Sequence, residues 1–278
     1  MGALLVGTAV AQVITKIIPA ASVTLPIVVA VLIAAVVWNL ITWWRGLPSS
    51  SSHTLVGGLV GAAIVSSGFN SVIYAGVIKI AVFIVVAPLL GMFMAFVISI
   101  IVLHIVKRHS PFVVDKHFRR LQLLSASAFS LGHGGNDAQK SMGIIWVALI
   151  ATGYATKDTP IHLWIVLSCH VAIALGTLFG GWRIVKTMGQ KITKLKPFEG
   201  FCAETAGALT LYGATAFGIP VSTTPTITGS IIGVGATKRA SAVKWGVTTK
   251  IFWAWILTIP VSALIGAAIF WFVRLITG

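Results

Sequence analysis

Residues 46–61 read GLPSSSSHTLVGGLVG, and residues 218–233 read GIPVSTTPTITGSIIG. At an offset of 172 residues, the two stretches share a glycine, a proline, a serine, a threonine and two further glycines. In each, a proline precedes a run of hydroxyl side chains, and an apolar stretch broken by glycines follows. Because so unusual a pattern occurs twice, it indicates a duplicated unit and predicts two similar halves.

The composition around these motifs is that of a membrane protein. Of 278 residues, 57% are apolar and only 9% are charged, and the mean hydropathy is +1.00. Soluble domains carry about 25% charged residues. Apolar runs as long as 80–106 exceed the roughly 20 residues that cross a bilayer as a helix, and they do not alternate as barrel strands would. The sequence therefore predicts an all-α polytopic membrane protein.

The net charge of +15 arises mainly in two short breaks between apolar segments, residues 107–120 and 183–198. Short loops rich in Lys and Arg usually mark the cytoplasmic side of a membrane protein. We therefore predict that both loops are cytoplasmic and that nucleic acid is not a partner. Loop 154–160 should lie on the opposite side.

The apolar segments predict the domain organisation. The first repeat covers residues 1–106 and begins with a short span at 3–18. The basic loop at 107–120 separates it from the second repeat, residues 121–278. The glycine-rich segment that follows each hydroxyl run, such as 55–67, is too short to cross the bilayer and predicts a re-entrant hairpin. Repeats of this kind are typical of transporters, with the site where the halves meet.

The two hydroxyl runs predict an anion site. Pro and Ser or Thr are favoured at helix starts, where unpaired N–H groups and a partial positive charge attract anions. Simple helix capping would explain one such run, but two runs favour a site. The candidate substrate-binding hydroxyls are Ser50, Ser51, Ser52 and Thr54 in the first run, and Ser222, Thr223, Thr224 and Thr226 in the second.

Two of the five acidic residues, Asp137 and Glu204, fall within apolar segments, where a carboxylate is costly and usually functional. Asp137 lies in GHGGNDAQKS, residues 132–141, with Asn136 beside it. Lys140 is three residues away and can pair with Asp137 on one helical face. A purely structural ion pair is the alternative for Asp137, and Glu204 is equally well explained as a structural group.

His53 and His133 lie inside the motifs and could relay protons, although a hydrogen-bonded packing role is the alternative. Cys169 and Cys202 lie singly in apolar segments and suit the core. No cluster of residues has metal-ligand spacing, and no dinucleotide or Walker pattern occurs. The sequence therefore predicts no catalytic group, metal site or cofactor.

GGNDAQKS at 134–141, GLPSSSSHT at 46–54 and GIPVSTTPT at 218–226 together resemble the inorganic phosphate transporter (PiT) family, especially its bacterial low-affinity permeases. The resemblance implies inverted repeats, a homodimer in the plasma membrane, and import of phosphate coupled to a cation. It also assigns substrate binding to Asn136, Asp137 and the two hydroxyl runs.

Three departures from the family pattern qualify this resemblance. Gln139 and Lys140 stand at the last two positions of the usual motif Gly-Ala-Asn-Asp-Val-Ala-Asn. The ammonium of Lys140 could take the place of a sodium ion, so a proton is favoured as the coupling ion. Pro225 replaces a histidine, which removes an N–H. The Asn-Asp motif of the first repeat has no counterpart, since Asn39 stands without an acid, and the first repeat is predicted to be N-terminally incomplete.

The leading interpretation is a secondary active transporter of phosphate, with cation coupling assigned to Asp137, Gln139, Lys140, Glu204, His53 and His133. A sulfate transporter of the same fold and a transport-incompetent fragment or partner subunit are the alternatives. An intramembrane enzyme using His133 and Asp137 is less favoured, because no third orienting group lies nearby. Whether a divalent metal travels with the phosphate is not decided by the sequence.

Overall fold

A computed structural model describes residues 17–277 apart from 20–21, 157–158, 218 and 220. The span expected at 3–18 and parts of loop 154–160 and of the second motif therefore lie outside the described residues. The described chain is helical throughout, without a strand, which confirms the all-α prediction. Its helices are α1 (Leu25–Arg45), α2 (Ser51–Ser67), α3 (Tyr74–Val106), α4 (Pro111–Ala151), α5 (Leu163–Phe179), α6 (Trp182–Lys186), α7 (Pro197–Ala216), α8 (Thr223–Lys238) and α9 (Trp245–Thr277).

The basic segments are more helical than the sequence analysis expects. The loop predicted at 107–120 is reduced to 107–110, because α4 starts at Pro111, which suits a first helical turn. Asp115 and Arg119 pair across one turn of α4 at 2.9 Å. In the other basic segment, α6 continues into a π-helical turn at Thr187–Ile192. Lys and Arg are good helix formers, so charge marks the edge of the apolar span but not the end of the helix.

The two hydroxyl runs begin two short helices in the same way. Gly46 closes α1 with a φ of 65°, a left-handed conformation that glycine adopts without strain, and the chain turns into α2. The helix α2 has 17 residues and α8 has 16, and each passes through a single 3₁₀ turn into a helix of 33 residues. Both are shorter than the roughly 20 residues of a spanning helix, as expected of re-entrant segments.

Each short helix lies mainly along the long helix of the other half. Helices α1, α2 and α9 pack together, and α3, α7 and α8 form a second group, with α4 against α7 and α5 against α4. Glycines allow this close approach: a Cβ on Gly61 would overlap the carbonyl oxygen of Ala263, and one on Gly229 would overlap that of Pro88. The sequence predicts a re-entrant hairpin at each short helix without indicating its packing partner, and the hairpin itself stays a prediction.

Among the described residues, three helices are long and apolar enough to cross a membrane: α1, α3 and α9. The helix α5 and the segment Trp182–Ile192 would form a fourth if counted as one span bent by 64°. The long helix α3 runs unbroken past Pro88, from Tyr74 to Val106.

Candidate functional site

The N-termini of α2 and α8 meet near the centre of the fold. Ser50 and Ser222 are their N-cap residues, and the hydroxyl of Ser222 donates to that of Ser50 at 2.7 Å. The Ser50 hydroxyl also accepts from the backbone N–H of His53 at 3.3 Å. Two helix N-termini with their partial positive charges therefore converge, which is the arrangement that attracts an anion.

Asp137 of α4 lies beside the junction of the two helix N-termini and connects that junction with α4. Its Oδ1 accepts from Nζ of Lys140 at 2.8 Å, as the three-residue spacing predicts. Its Oδ2 accepts from Nε2 of His133 at 2.9 Å and from the hydroxyl of Thr223, the first residue of α8, at 3.0 Å. The carboxylate is thus held by three donors, and two of them can carry positive charge.

Asn136 and Gln139 flank Asp137 and are buried. Among the described residues, neither side-chain atom of Asn136 has a hydrogen-bond partner. Buried amides are nearly always hydrogen-bonded. Asn136 therefore has free hydrogen-bonding atoms, but it is not among the residues that line the cleft described next.

An open cleft of about 690 Å³ borders the junction. The predicted residues Ser51, Thr224, His133 and Asp137 line it. Ser49, His133 and Thr224 also line a wider vestibule of about 940 Å³, which extends to Lys186 and Gln190 in the second basic segment. Cleft and vestibule together connect the helix N-termini with the side that bears the basic residues.

Several residues of the cleft are not indicated by the sequence analysis. Asn39 accepts from the Thr54 hydroxyl at 3.3 Å, and the hydroxyls of Thr42 and Ser49 are 2.8 Å apart. Ser141 and Ser168 add two more hydroxyls to the lining. Ser141 ends the quoted GHGGNDAQKS motif and Ser49 lies in GLPSSSSHT, so both could have been selected with their motifs, whereas Asn39, Thr42 and Ser168 carry no repeat or charge signal.

The structure does not bring every predicted hydroxyl to the cleft. Thr54 and Thr226 are fully buried, and their hydroxyls donate to the carbonyl oxygens of Ser50 and Ser222 at 2.9 and 2.8 Å. Such bonds one turn back along a helix are common for Thr. Both therefore support the starts of their helices instead of offering a donor to an anion in the cleft.

The remaining predicted residues lie on two sides of Asp137. Ser52 and His53 line a narrow cavity together with Lys140, away from the cleft. Glu204 of α7 lines the vestibule and accepts from the Ser125 hydroxyl at 2.6 Å. Glu204 is therefore paired with α4 at a position separate from the Asp137 cluster. Within the described part of the chain, no three His, Cys, Asp or Glu side chains come together as metal ligands.

Comparisons with known proteins identify relatives of this chain. The family model described as "Phosphate transporter family" matches residues 1–266. A probable low-affinity inorganic phosphate transporter of Rhizobium meliloti is 55% identical over 253 residues, covering 91% of this chain and 76% of the relative. Its Bacillus subtilis counterpart is 42% identical over 250 residues, covering 90% of this chain and 75% of that relative. A solved structure titled "The sodium-dependent phosphate transporter" has a TM-score of 0.86 at 26% identity and covers 99% of this chain and 87% of that one.

Proposed function

Because the chain belongs to the phosphate transporter family, we propose that it imports inorganic phosphate by secondary active transport, and that a proton is the coupled cation. A member of this family is a transporter and not an enzyme, so His133 and Asp137 are not a catalytic pair. The family and the apolar helices make it a multi-pass protein of the plasma membrane.

The observation that carries the proposal is the meeting of two helix N-termini beside Asp137. Phosphate would bind in the cleft, accepting from the hydroxyls of Ser51 and Thr224 and from free N–H groups at the starts of α2 and α8. An ionised carboxylate only accepts hydrogen bonds, so Asp137 favours an oxyanion that still carries a proton. At neutral pH phosphate still carries a proton and sulfate does not, so Asp137 favours phosphate over sulfate.

The ion pair of Asp137 with Lys140 supports a proton as the coupled cation. An ammonium at 2.8 Å already neutralises the carboxylate that a sodium ion would need. Sodium would have to displace the ammonium of Lys140, which is covalently part of α4, whereas a proton could be exchanged within the cluster of His133, Asp137 and Lys140. The structural relative is titled as sodium-dependent, so the two cations must be compared directly.

Uptake of radiolabelled phosphate into liposomes that hold the full chain tests this proposal. We expect uptake driven by an inward proton gradient, abolished by a protonophore, and unchanged when choline replaces sodium. Excess unlabelled phosphate should compete and excess sulfate should not. Strict sodium dependence would contradict proton coupling, competition by sulfate would favour the sulfate alternative, and no uptake under either gradient would favour the transport-incompetent alternative.

A matched pair of variants controls the assignment of Asp137. Asp137→Asn should abolish uptake, because it removes the charge that Lys140 and His133 contact. Asp115→Asn lies on the same helix but in an exposed pair with Arg119, so it should leave uptake unchanged. Equal loss in both variants would indicate a general effect of lost charge on α4.

A further inference from the structure

A narrow cavity lies on the far side of the Asp137–Lys140 pair from the cleft. Lys140 lines the cavity and Asp137 lines the cleft, so the ion pair separates the two spaces. The cavity measures about 60 Å³, enough for a few water molecules but not for a hydrated oxyanion. Its polar lining residues are Ser52, His53, Lys140 and Ser222, and the rest of its wall is apolar.

The cavity and the vestibule are lined by corresponding residues of the two halves. At the offset of 172 that relates Ser50 to Ser222, Leu55 corresponds to Ile227 and Leu59 to Ile231. Leu55 and Leu59 line the narrow cavity. Ile227 and Ile231 line the wide vestibule. The same face of the short helix therefore borders about 60 Å³ of space in one half and about 940 Å³ in the other.

The correspondence extends beyond the short helices. Ser52 of the cavity matches Thr224 of the vestibule, and Val23 matches Leu195 at the same offset. Other lining residues of the cavity have no counterpart in the vestibule lining, among them His53 and Val56, whose equivalents are Pro225 and Thr228. A partly shared lining that is narrow in one half and wide in the other is what alternating access leads us to expect of a transporter built from repeats.

We infer that this narrow cavity is the closed half of the transport pathway, leading to the side opposite the basic residues. Leu55 and Leu59 on α2 and Ile144 and Val147 on α4 line it and belong to one apolar cluster, so its walls are largely apolar. An apolar constriction excludes water and ions until its walls separate. This inference rests on the proposed transport function and adds to it the residues of one gate.

The polar side chains of the cavity connect this gate with the residues to which cation coupling is assigned. His53 is buried, and its Nδ1 has no hydrogen-bond partner among the described residues. When the apolar walls separate, His53 and Lys140 become accessible from the side opposite the vestibule. Lys140 would then face one side through this cavity, whereas its partner Asp137 faces the cleft in the present state.

Thiol accessibility tests the inference with a matched pair of variants, Leu55→Cys and Ile227→Cys. Both are made in a chain with Cys169→Ala and Cys202→Ala, which removes the two native thiols. Without phosphate, a membrane-impermeant thiol reagent should modify Ile227→Cys from the basic side at least about tenfold faster than it modifies Leu55→Cys from either side. During uptake, Leu55→Cys should become reactive from the opposite side, and its modification should stop uptake.

Val147→Cys, on the opposite wall of the cavity, repeats the test if Leu55→Cys fails to fold. Uptake by the cysteine-free parent is measured in the same liposomes. A parent that takes up no phosphate overturns the proposed function. A parent that transports while Leu55→Cys and Val147→Cys stay unreactive during uptake overturns the gate alone and leaves the cavity as a packing void.

Discussion

Thr223 joins the anion-binding helix end to the charged cluster on α4. Its hydroxyl donates to Asp137 at 3.0 Å, whereas the neighbouring Ser222 hydroxyl donates across the junction to Ser50. Thr223 also begins α8, so a movement of that helix would pull directly on the Asp137 carboxylate. Neighbouring hydroxyls of one run therefore have different partners and are expected to have different roles.

Thr223→Val should reduce uptake strongly. A hydrogen bond to a charged group contributes about 1.5–3 kcal/mol, so its loss should lower uptake at limiting phosphate by about tenfold or more. The measurement is the initial rate of phosphate uptake per amount of folded protein.

Thr228→Val is the matched control for this prediction. Thr228 lies on the same helix, is equally buried, and donates to the backbone carbonyl of Thr224 at 2.7 Å. Removing that bond leaves a carbonyl that the helix already satisfies, so uptake should stay within about twofold. A similar loss in both variants would mean that Thr223 acts only through the stability of α8.

Single residues also show how far the sequence could define the site. The pairing of Lys140 with Asp137 follows from helical spacing and is confirmed by the 2.8 Å contact. The direction of a Thr hydroxyl does not follow from spacing, because each Thr can bond to its own helix or to a neighbour. Thr226 bonds to its own helix, Thr54 bonds both to its own helix and to Asn39 of α1, and Asn39 of the cleft lies in no motif that would distinguish it from a packing residue.

At the level of helices, the glycines of α2 and α8 determine how closely the two halves approach. Gly57 and Gly61 face α9, and Gly229 and Gly233 face α3, in each case against backbone carbonyl oxygens. Small residues permit such close helix contacts in membranes. The glycine spacing shared by the two motifs therefore reflects packing as well as duplication.

Gly229→Ala should destabilise the protein, because the added methyl would overlap the carbonyl oxygen of Pro88. Overpacking of this kind costs about 1–3 kcal/mol, which should appear as a lower midpoint of thermal unfolding in detergent. Gly213→Ala on α7 is the control, since no atom lies within 4 Å of its new Cβ. Alanine favours helices over glycine by about 1 kcal/mol, so the control should be neutral or slightly stabilising.

The ends of helices were predicted less well than their existence. Hydropathy reports where the chain enters the membrane, and α4 and α6 continue as helices beyond that point through Lys and Arg residues. The packing partner of a short helix was also not predictable. The sequence shows that α2 precedes α3, but only the positions of glycines against distant carbonyl groups determine that α2 lies along α9.

For the whole molecule, each of the two three-helix groups contains two successive helices of one half and the long helix of the other. Trp255 of α9 donates to the carbonyl oxygen of Pro48 at 2.8 Å, and Trp38 donates to the Thr258 hydroxyl at 3.2 Å. The halves therefore cannot separate as independent domains. The repeat boundaries at 106 and 121, the inverted relation of the repeats and the homodimer stay predictions.

The orientation in the membrane can be checked by labelling. Helix α4 has 41 residues, about 60 Å at 1.5 Å per residue, so His109 and Tyr154 at its two ends should lie on opposite sides. In a chain without Cys169 and Cys202, an impermeant maleimide should label Tyr154→Cys in intact cells. It should label His109→Cys and Lys194→Cys only after permeabilisation. Labelling of all three in intact cells would contradict the cytoplasmic assignment of the basic segments.

The contact of Trp255 with Pro48 has a consequence for biosynthesis. The two residues are 207 positions apart, and a ribosome adding about 5–20 residues per second needs about 10–40 s to cover that distance. During this interval α2 is already made, yet the helix along which it packs does not exist. The first hydroxyl run therefore lacks its packing partner until α9 enters the membrane. Newly made chains are most exposed to quality-control proteases during this interval.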